Sequence, residues 1–480
     1  MSFELVFLPT DALILVLIAF GIVGAWHIRR RPHLVLPWRR VAGSRTGMVS
    51  LLVLGPFLLV GLLDSVHYRQ ALPEQNHGGT VYSPEVLSAF DALAGDLRTR
   101  TEKTYSAPLA AHLYAKESIE TPEGKVTREH PRLTFGGAHL TDPDRQLVRD
   151  VAKRGLFGAL GGLAVGLLMY FAVASTMRTR GAGADKGLMR VFLARQRGFL
   201  WGLLRAGVSR SLFIATLTLA VCIGTLVALA PAYHVFGTDK VGQDVLFLSL
   251  KSIRTGLVIG TVTTLVMLPI AMLLGVAAGY LRGWVDDVIQ YIYTVLGSIP
   301  DVLLIAAAVL MMQVAIEMHA DWFPTSAARA DARLLALCVI LGATRWTELC
   351  RLLRGEALKL RELEFIQAAQ AFGISSLRIM MRHIVPNVMH IVLISVVMAF
   401  SDLVLAEAVL SYIGVGVDPA TISFGNMINA ARLEMGREPV VWWPLAAAFA
   451  FMLTLVLAAN LFADAVRDAF DPRLNRTEAS

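Results

Sequence analysis

Gly256-Leu-Val-Ile-Gly-Thr-Val-Thr-Thr-Leu-Val-Met-Leu-Pro269-Ile-Ala-Met-Leu-Leu-Gly-Val-Ala-Ala-Gly-Tyr280 carries no charged side chain from end to end. As an α-helix this run reaches about 37 Å at 1.5 Å per residue. That exceeds the roughly 30 Å of hydrocarbon in a bilayer. Backbone in hydrocarbon must satisfy its own hydrogen bonds, so only helices and closed barrels span it. The run is too long for a strand and lacks period-two alternation, so it reads as a membrane helix.

The rest of the chain agrees. Of 480 residues, 55% are hydrophobic and only 17% charged, against about 25% charged in a soluble domain. Mean hydropathy is +0.59. The expected fold is an all-α integral membrane protein. The net charge of +7 would raise nucleic acid as a partner of a soluble protein. Here the basic residues cluster in short loops beside apolar segments, the pattern that sets topology, so the lipid bilayer is the partner and nucleic acid is not. Cys222, Cys338 and Cys350 have no CxxC spacing and no neighbouring His pair. They read as small core residues rather than metal ligands or disulfides.

Nine apolar segments are expected: Leu5–Trp26, Met48–Leu63, Gly155–Thr176, Ser211–Ala230, Gly256–Tyr280, Val288–Met312, Leu334–Trp346 with an extension, Val388–Val409 and Trp442–Phe462. Glu4 and Asp11 lie before or early in the first, and Arg29, Arg30 and Arg31 follow it. A signal peptide has the reverse polarity, so this segment is expected to be retained, N-terminus outside. The loop 29–45 holds six arginines and no acid, and is expected inside. So are the basic stretch 178–210 and the tail 467–476, which leaves the C-terminus inside. The organisation expected is 1–63, membrane helices with a basic loop; 64–154, a polar segment outside; 155–210, a helix and basic linker; and 211–480, a six-helix core. In the third segment, Gly158, Gly161, Gly162 and Gly166 allow a close helix neighbour.

The loop after the Leu334 segment carries the most chemistry. It reads Glu356-Ala-Leu-Lys-Leu-Arg-Glu-Leu-Glu-Phe-Ile-Gln-Ala-Ala-Gln-Ala-Phe-Gly373. Phe365, Ala368, Ala369 and Phe372 recur at helical spacing as one narrow stripe. Gly373 is a natural helix stop. Ser375 or Ser376 can cap a second helix, Leu377–Ile384, basic at Arg378, Arg382 and His383. Pro386 is expected to end it.

Gln367-Ala-Ala-x-x-x-Gly373, with Pro386 beyond it, resembles the EAA loop of binding-protein-dependent importer permeases, with Gln367 in place of the family's Glu. Arg351-Leu-Leu-Arg354-Gly-Glu356 before it and Arg382-His383-Ile-Val-Pro386-Asn after it resemble the C-type permease of dipeptide, oligopeptide and nickel importers. So does His234-Val-Phe-Gly237-Thr238-Asp239-Lys-Val-Gly242-Gln-Asp244-Val-Leu246, with Val235, Phe236 and Gln243 departing from the family's Pro, Leu and Arg. Ala406-Glu407-Ala-Val-Leu-Ser411-Tyr-Ile-Gly414-Val-Gly416, Phe424-Gly425-Asn426-Met427 and Asp464-Ala-Val-Arg467-Asp468-Ala-Phe-Asp471-Pro472-Arg473 match further. The resemblance covers about residues 211–473. It implies a permease subunit for di- or oligopeptides, paired with a homologous second permease. Two ATPase subunits would bind ATP and Mg, and a periplasmic binding protein would deliver solute. It implies that Arg351, Arg354, Glu356, Gln367, Ala368, Ala369, Gly373, His383 and Pro386 couple to the ATPase.

Asp402 and Glu407 sit in an otherwise apolar segment, where acids are costly and usually face a cavity or partner. They are pathway candidates, their alternative being the membrane interface; Ser411 and Pro300 are candidates too, the alternative for the proline being a static kink with no gating role. Pro269 and Pro300 suit kinked helices around a pathway. The chain has no Gly-x-x-x-x-Gly-Lys-Ser/Thr phosphate loop, His-Glu-x-x-His or Gly-x-Ser-x-Gly, so no catalytic residue, metal site or cofactor of its own is expected. Alternatives are the same machinery importing nickel or other metal chelates, oligosaccharides or peptide antibiotics, and, in another class, a membrane receptor or assembly protein using residues 64–154.

Overall fold

The computed structural model describes residues 3–30, 32–71, 82–120, 126–179, 207–323 and 325–470. The chain is an all-α integral membrane protein with a small mixed cap. In order, the elements are β1 (Phe3–Val6), α1 (Pro9–Arg29), α2 (Pro32–Gly43), α3 (Arg45–Asp64), β2 (His67–Gln70), β3 (Leu87–Ser88), α4 (Ala89–Leu93), α5 (Gly95–Thr99), β4 (Glu117–Glu120), β5 (Val126–Glu129) and α6 (Pro143–Thr179). Then come α7 (Gly207–Leu229), α8 (Val245–Leu281), α9 (Trp284–Ser298), α10 (Asp301–Met318), α11 (Ser326–Arg361), α12 (Glu364–Ala371), α13 (Ser376–Ile379), a π-helical turn (Met380–Ile384), α14 (Val385–Ile413), α15 (Phe424–Glu434) and α16 (Trp443–Phe470).

Eight of the described helices are long and apolar enough to cross a membrane: α1, α3, α6, α7, α8, α10, α14 (with the turns before it) and α16. The expected Leu334–Trp346 segment lies within α11, whose charged ends lower its mean hydropathy. It packs lengthwise on α8 all the same. A Cβ on Gly275 would meet the Cys350 carbonyl at 2.8 Å, and one on Gly279 would meet Ala357 Cβ at 2.6 Å. The backbones are therefore in direct contact, as small residues permit. Cys338 and Cys350 are buried in this seam, as expected of core residues, whereas Cys222 is exposed on α7 and is not one. Three of the four expected glycines of α6 serve α7 in the same way, Gly162 against the Ala220 carbonyl, Gly158 against Gly224 and Gly166 against the Ala220 Cβ, while Gly161 has no neighbour there.

Several expected boundaries move. Val288–Met312 is not one helix. It breaks at Ile299, which is extended, and Pro300, which precedes α10. Proline lacks the donor a continuous helix needs and pushes its predecessor to extended backbone. Residues 3–6 form a strand rather than the start of a helix, pairing antiparallel with β2, which also pairs β3. Helix α6 begins at Pro143 rather than Gly155. Pro386 ends nothing: α13, the π-helical turn and α14 are continuous, and Pro386 sits in the first turn of α14, where its missing donor is harmless. Ser375 precedes α13 without a side-chain capping bond. Residues 180–206 and 471–480, with most of the basic linker and the end of the tail including Asp471, Pro472 and Arg473, lie outside the described residues.

One end of the bundle carries β1, the described residues between α3 and α6 (the insert), the 230–244 loop, α15 and the start of α16. Here Leu140, Tyr233, Leu246 and their neighbours form one cluster, and Phe90, Tyr105, Phe424 and Trp443 join another. The opposite end carries α2, which packs Trp38 and Val41 on Val466, Ala469 and Phe470, and the 362–384 segment, which Arg282 meets through Glu362 at 2.6 Å.

Candidate functional site

Helix α12 splits the apolar stripe in two. Ile366 and Ala369, three residues apart, turn inward and are buried against Tyr280, Leu353, Ile379 and Ile384. Full burial of an Ile side chain contributes about 1.5–3 kcal/mol. Phe365, Gln367, Ala368 and Phe372 turn outward, and Phe372 is 86% exposed. Gly373 closes the helix at φ +73°: its N–H donates to the Gln370 carbonyl at 2.9 Å, and the Ile374 N–H to Ala369 at 3.1 Å. That is the reciprocal C-terminal cap only a left-handed residue completes. Leu377 and Met381 continue the exposed apolar surface. His383 is half-buried with its ring 6.1 Å from that of Phe365.

Ala369 and Arg354, two of the expected coupling residues, make contacts within this chain. Ala369 faces its own core because it shares a helix face with Ile366. Arg354 donates from Nε and Nη2 to the two carboxylate oxygens of Asp286, at 2.6 and 2.8 Å, joining α11 to α9. This fork-to-carboxylate pair is the strong geometry for arginine, and its hydrogen bonds hold the Asp286 carboxyl below the ordinary range. Arg351 stacks its guanidinium 5.1 Å from the Tyr293 ring centre. Glu356 accepts from Lys359 one turn on, at 3.0 Å. Gln367 donates to the Glu362 carbonyl at 3.3 Å, and Pro386 is exposed. Tyr280 ties the segment down: its carbonyl accepts from Arg361 at 2.8 Å and its hydroxyl from Gln370 at 3.1 Å.

At the other end, the 234–244 motif folds on itself and under the insert. Asp239 accepts from the backbone of Val241 and Gln243, and Asp244 caps α8 through Leu246 N–H at 2.8 Å. Gly237 and Gly242 take positive φ. A Cβ on Gly242 would lie 1.8 Å from the Glu102 carbonyl, so the insert rests directly on this turn. Thr238 Oγ1 donates to the Thr104 carbonyl at 2.8 Å and accepts from Ser106 N–H at 2.6 Å. His234, 3% exposed, bridges Asp244 at 2.7 Å and Glu102 at 3.5 Å. Glu102 also accepts from the backbone N–H groups of Thr134, Phe135 and Gly136. Burial opposes the charge on both groups. The two carboxylates outweigh it for His234, raised to about 9. The His234 ring and three N–H donors outweigh it for Glu102, lowered to about 2.

The pathway candidates divide. Glu407 and Ser411 are both 1% exposed. Glu407 Oε1 accepts from Ser411 Oγ at 2.8 Å and Ser423 Oγ at 2.9 Å, and Gly425 approaches so closely that a Cβ would lie 2.8 Å from that oxygen. The two C-terminal motifs thus meet each other and clamp α15 to α14. Neither Glu407 nor Ser411 lines an open space. Asp402, by contrast, is exposed on α14 with no ion pair among the described residues. Pro300 is exposed at the α9–α10 break.

A further network has no counterpart in the sequence reading. Asp11 accepts from Arg254 at 2.6 Å and contacts His67 at 2.7 Å, while the Thr10 N–H donates to Asp331 at 3.1 Å. Lys251 holds Asp91 at 2.5 Å and Asp64 at 3.3 Å. Asp11 lies in the first turn of α1, Asp64 ends α3, Asp91 is in the short α4 and Asp331 is in the second turn of α11, so no one periodicity flags them together.

Comparison with known proteins then fixes the family. Residues 271–476 match the family described as binding-protein-dependent transport system inner membrane component. Oligopeptide transport system permease protein OppC of Mycobacterium tuberculosis is 30% identical over 239 residues, 50% of this chain and 76% of that protein. Glutathione transport system permease protein GsiD of Pectobacterium atrosepticum is 32% identical over 241 residues, 50% of this chain and 73% of that protein. Dipeptide transport system permease protein DppC of Bacillus subtilis is 28% identical over 247 residues, 51% of this chain and 70% of that protein. With eight apolar helices, a match through its C-terminal half and relatives named as permeases, the chain belongs to the binding-protein-dependent transport system inner membrane component family.

Proposed function

We propose that the chain forms one side of an ATP-driven import pathway for di- and oligopeptides, with residues 211–480 as the permease core and residues 1–210 as an addition to it. A homologous permease subunit completes the pathway, two ATPase subunits bind ATP and Mg and dock at the 362–384 end, and a periplasmic binding protein delivers solute at the insert end. The insert end therefore lies outside and the 362–384 end inside, with the N-terminus outside. The names of the relatives support peptide as the solute. Asp402 and Pro300, exposed on α14 and at the α9 break, are the pathway residues of this reading.

The observation that carries the coupling role is the exposed face of α12 and its turn. Phe365, Ala368, Phe372, Leu377 and Met381 stand out of the protein while Ile366, Ala369, Ile379 and Ile384 fix the segment to the core. Contiguous exposed apolar surface of this kind marks an interaction site. A rigidly anchored segment can pass motion from an ATPase to α14, since the π-helical turn continues into that helix without a loop. ATP shifts the permease only by the difference in how the two ATPase states hold this segment.

The test is purification of the tagged chain in mild detergent, with ATPase assay of the eluate. Co-purification of a second permease and ATPase subunits, with activity raised by peptide-loaded binding protein, is expected. Recovery of the chain alone would refute the importer reading. Stimulation by a nickel chelate or oligosaccharide instead of peptide would refute the solute assignment only.

A further inference from the structure

Between the insert and the loop joining α15 to α16 lies a cavity of about 400 Å³, walled by Tyr105, Tyr114, Lys116, His130, Arg437 and Glu438. Pockets for small ligands span roughly 300–1,000 Å³ and combine apolar walls with a few placed polar groups. Both features are present. Tyr114 stacks edge-on to Trp443 with ring centres 4.8 Å apart, and Tyr105 meets the same indole at 6.3 Å. The Tyr114 hydroxyl is already committed to the Val440 carbonyl at 3.0 Å, which leaves its ring as wall. Trp443 is fixed in turn by its Nε1 donating to the Thr238 carbonyl at 2.9 Å. The aromatic wall is thus held by both the insert and the core before any ligand arrives.

The polar groups are of two signs. Arg437 lies 5.6 Å from the Tyr105 ring centre and 3.4 Å from Glu434, a long contact that leaves much of its fork unused. Lys116 makes no ion pair among the described residues, and His130 spends only Nδ1, on the Leu113 carbonyl at 3.0 Å. Against Arg437 and Lys116, with His130 a donor at Nε2 only when its ring is protonated, stand the lining carboxylate Glu438 and, behind Arg437, Glu434. A carboxylate is the natural partner of the Arg–Lys–His side, and an ammonium group that of Glu438.

We infer that this cavity is an accessory binding site for a short linear peptide, its free carboxylate held by Lys116, His130 and Arg437 and its amino end by Glu438. The inference rests on the peptide reading above and adds a second place where the solute meets the permease. The site exists only because the insert brings Tyr105, Tyr114, Lys116 and His130 to the 437–443 loop. That loop follows α15, which Glu407 clamps to α14, the helix that carries Asp402.

The test is calorimetric titration of the purified transporter, without binding protein, using trialanine and trialanine amide. Trialanine is expected to bind, with the amide at least tenfold weaker. Lys116→Ala is expected to weaken trialanine at least threefold without changing the melting temperature, since Lys116 is exposed and makes no ion pair among the described residues, and Arg437→Ala to weaken it further. Equal affinity for acid and amide, binding that Lys116→Ala leaves unchanged, or no binding would each overturn the proposal. Import of trialanine by the complete system with its binding protein separates the two readings. If import persists while the cavity fails these tests, only the accessory site falls. If no peptide is imported, the peptide reading falls with it.

Discussion

The two ends of this protein solve opposite problems. At the insert end, polar groups are buried in quantity and nearly all meet a partner: Asp11 with Arg254 and His67, Lys251 with Asp91 and Asp64, His234 with Asp244 and Glu102. At the 362–384 end the surface is sparse. One row of apolar side chains anchors the segment, and another stands exposed. An end that completes its own bonding leaves little for a partner beyond its outer skin. An end with an anchored but uncovered apolar face has that face to offer to one.

The largest effect should come from breaking the insert end. Asp11→Ala leaves Arg254, only 12% exposed, without its closest carboxylate. Removing one member of a buried pair costs on the order of 3–5 kcal/mol. The expected outcome is a lower melting temperature and less protein in the membrane, measured by thermal-shift fluorescence. A variant that melts like the parent would mean that α1 is only loosely attached.

Next is Arg354→Ala at the other end. It removes a charged two-bond contact worth about 1.5–3 kcal/mol per bond at most, less here because Arg354 is a quarter exposed. Stimulated ATPase activity should fall more than stability does. A double-mutant cycle with Asp286→Ala should show coupling between the two residues. Additive losses would place Arg354 in the partner interface and contradict the internal contact.

The His234–Glu102 pair predicts a pH window. His234 is raised from 6.5 to about 9, so its contribution is complete below about 6.5 and lost as pH rises through 9. Glu102 is lowered from 4.5 to about 2, so its contribution is complete above about 4.5 and lost as pH falls through 2. Protease cleavage in the insert should therefore be slowest between about pH 4.5 and 6.5 and should rise toward pH 9. Glu102→Gln should flatten the acid limb. A rate set by the protease's own profile alone would contradict the latch.

The smallest effect on stability is expected from Phe372→Ala, because an 86% exposed ring has little burial to lose. Melting should change by less than about 0.5 kcal/mol equivalent, while peptide uptake falls. Intact uptake would remove Phe372 from the docking face.

How legible all this was depends on the range of the interaction. Hydropathy is local, so the apolar segments could be read one by one. The interruption at Pro300 was also local and read as a kink, but a proline alone does not say whether a helix carries on, as through Pro269 within α8, or breaks, as between α9 and α10. The α12 stripe was visible as periodicity, yet periodicity does not say which row faces in. Ile366, omitted from the stripe, is what orients it. Glu102, Asp286 and Arg254 escaped because their partners lie far away in sequence, Asp11 and Arg254 by 243 residues, and no spacing rule reaches that distance. Glu407 misled for a related reason. An acid in an apolar helix reads as a pathway residue until Ser423 and Gly425 are seen to close over it.

The central claim is that the exposed face of α12 couples this chain to an ATPase. Its most direct measurement is binding-protein-stimulated ATP hydrolysis by the assembled complex carrying Ala368→Glu. That substitution places a charge on the outward face and leaves Ile366 and Ala369 in the core. Normal insertion in the membrane is expected, with stimulation lost. Full stimulation with Glu at residue 368 would contradict that claim.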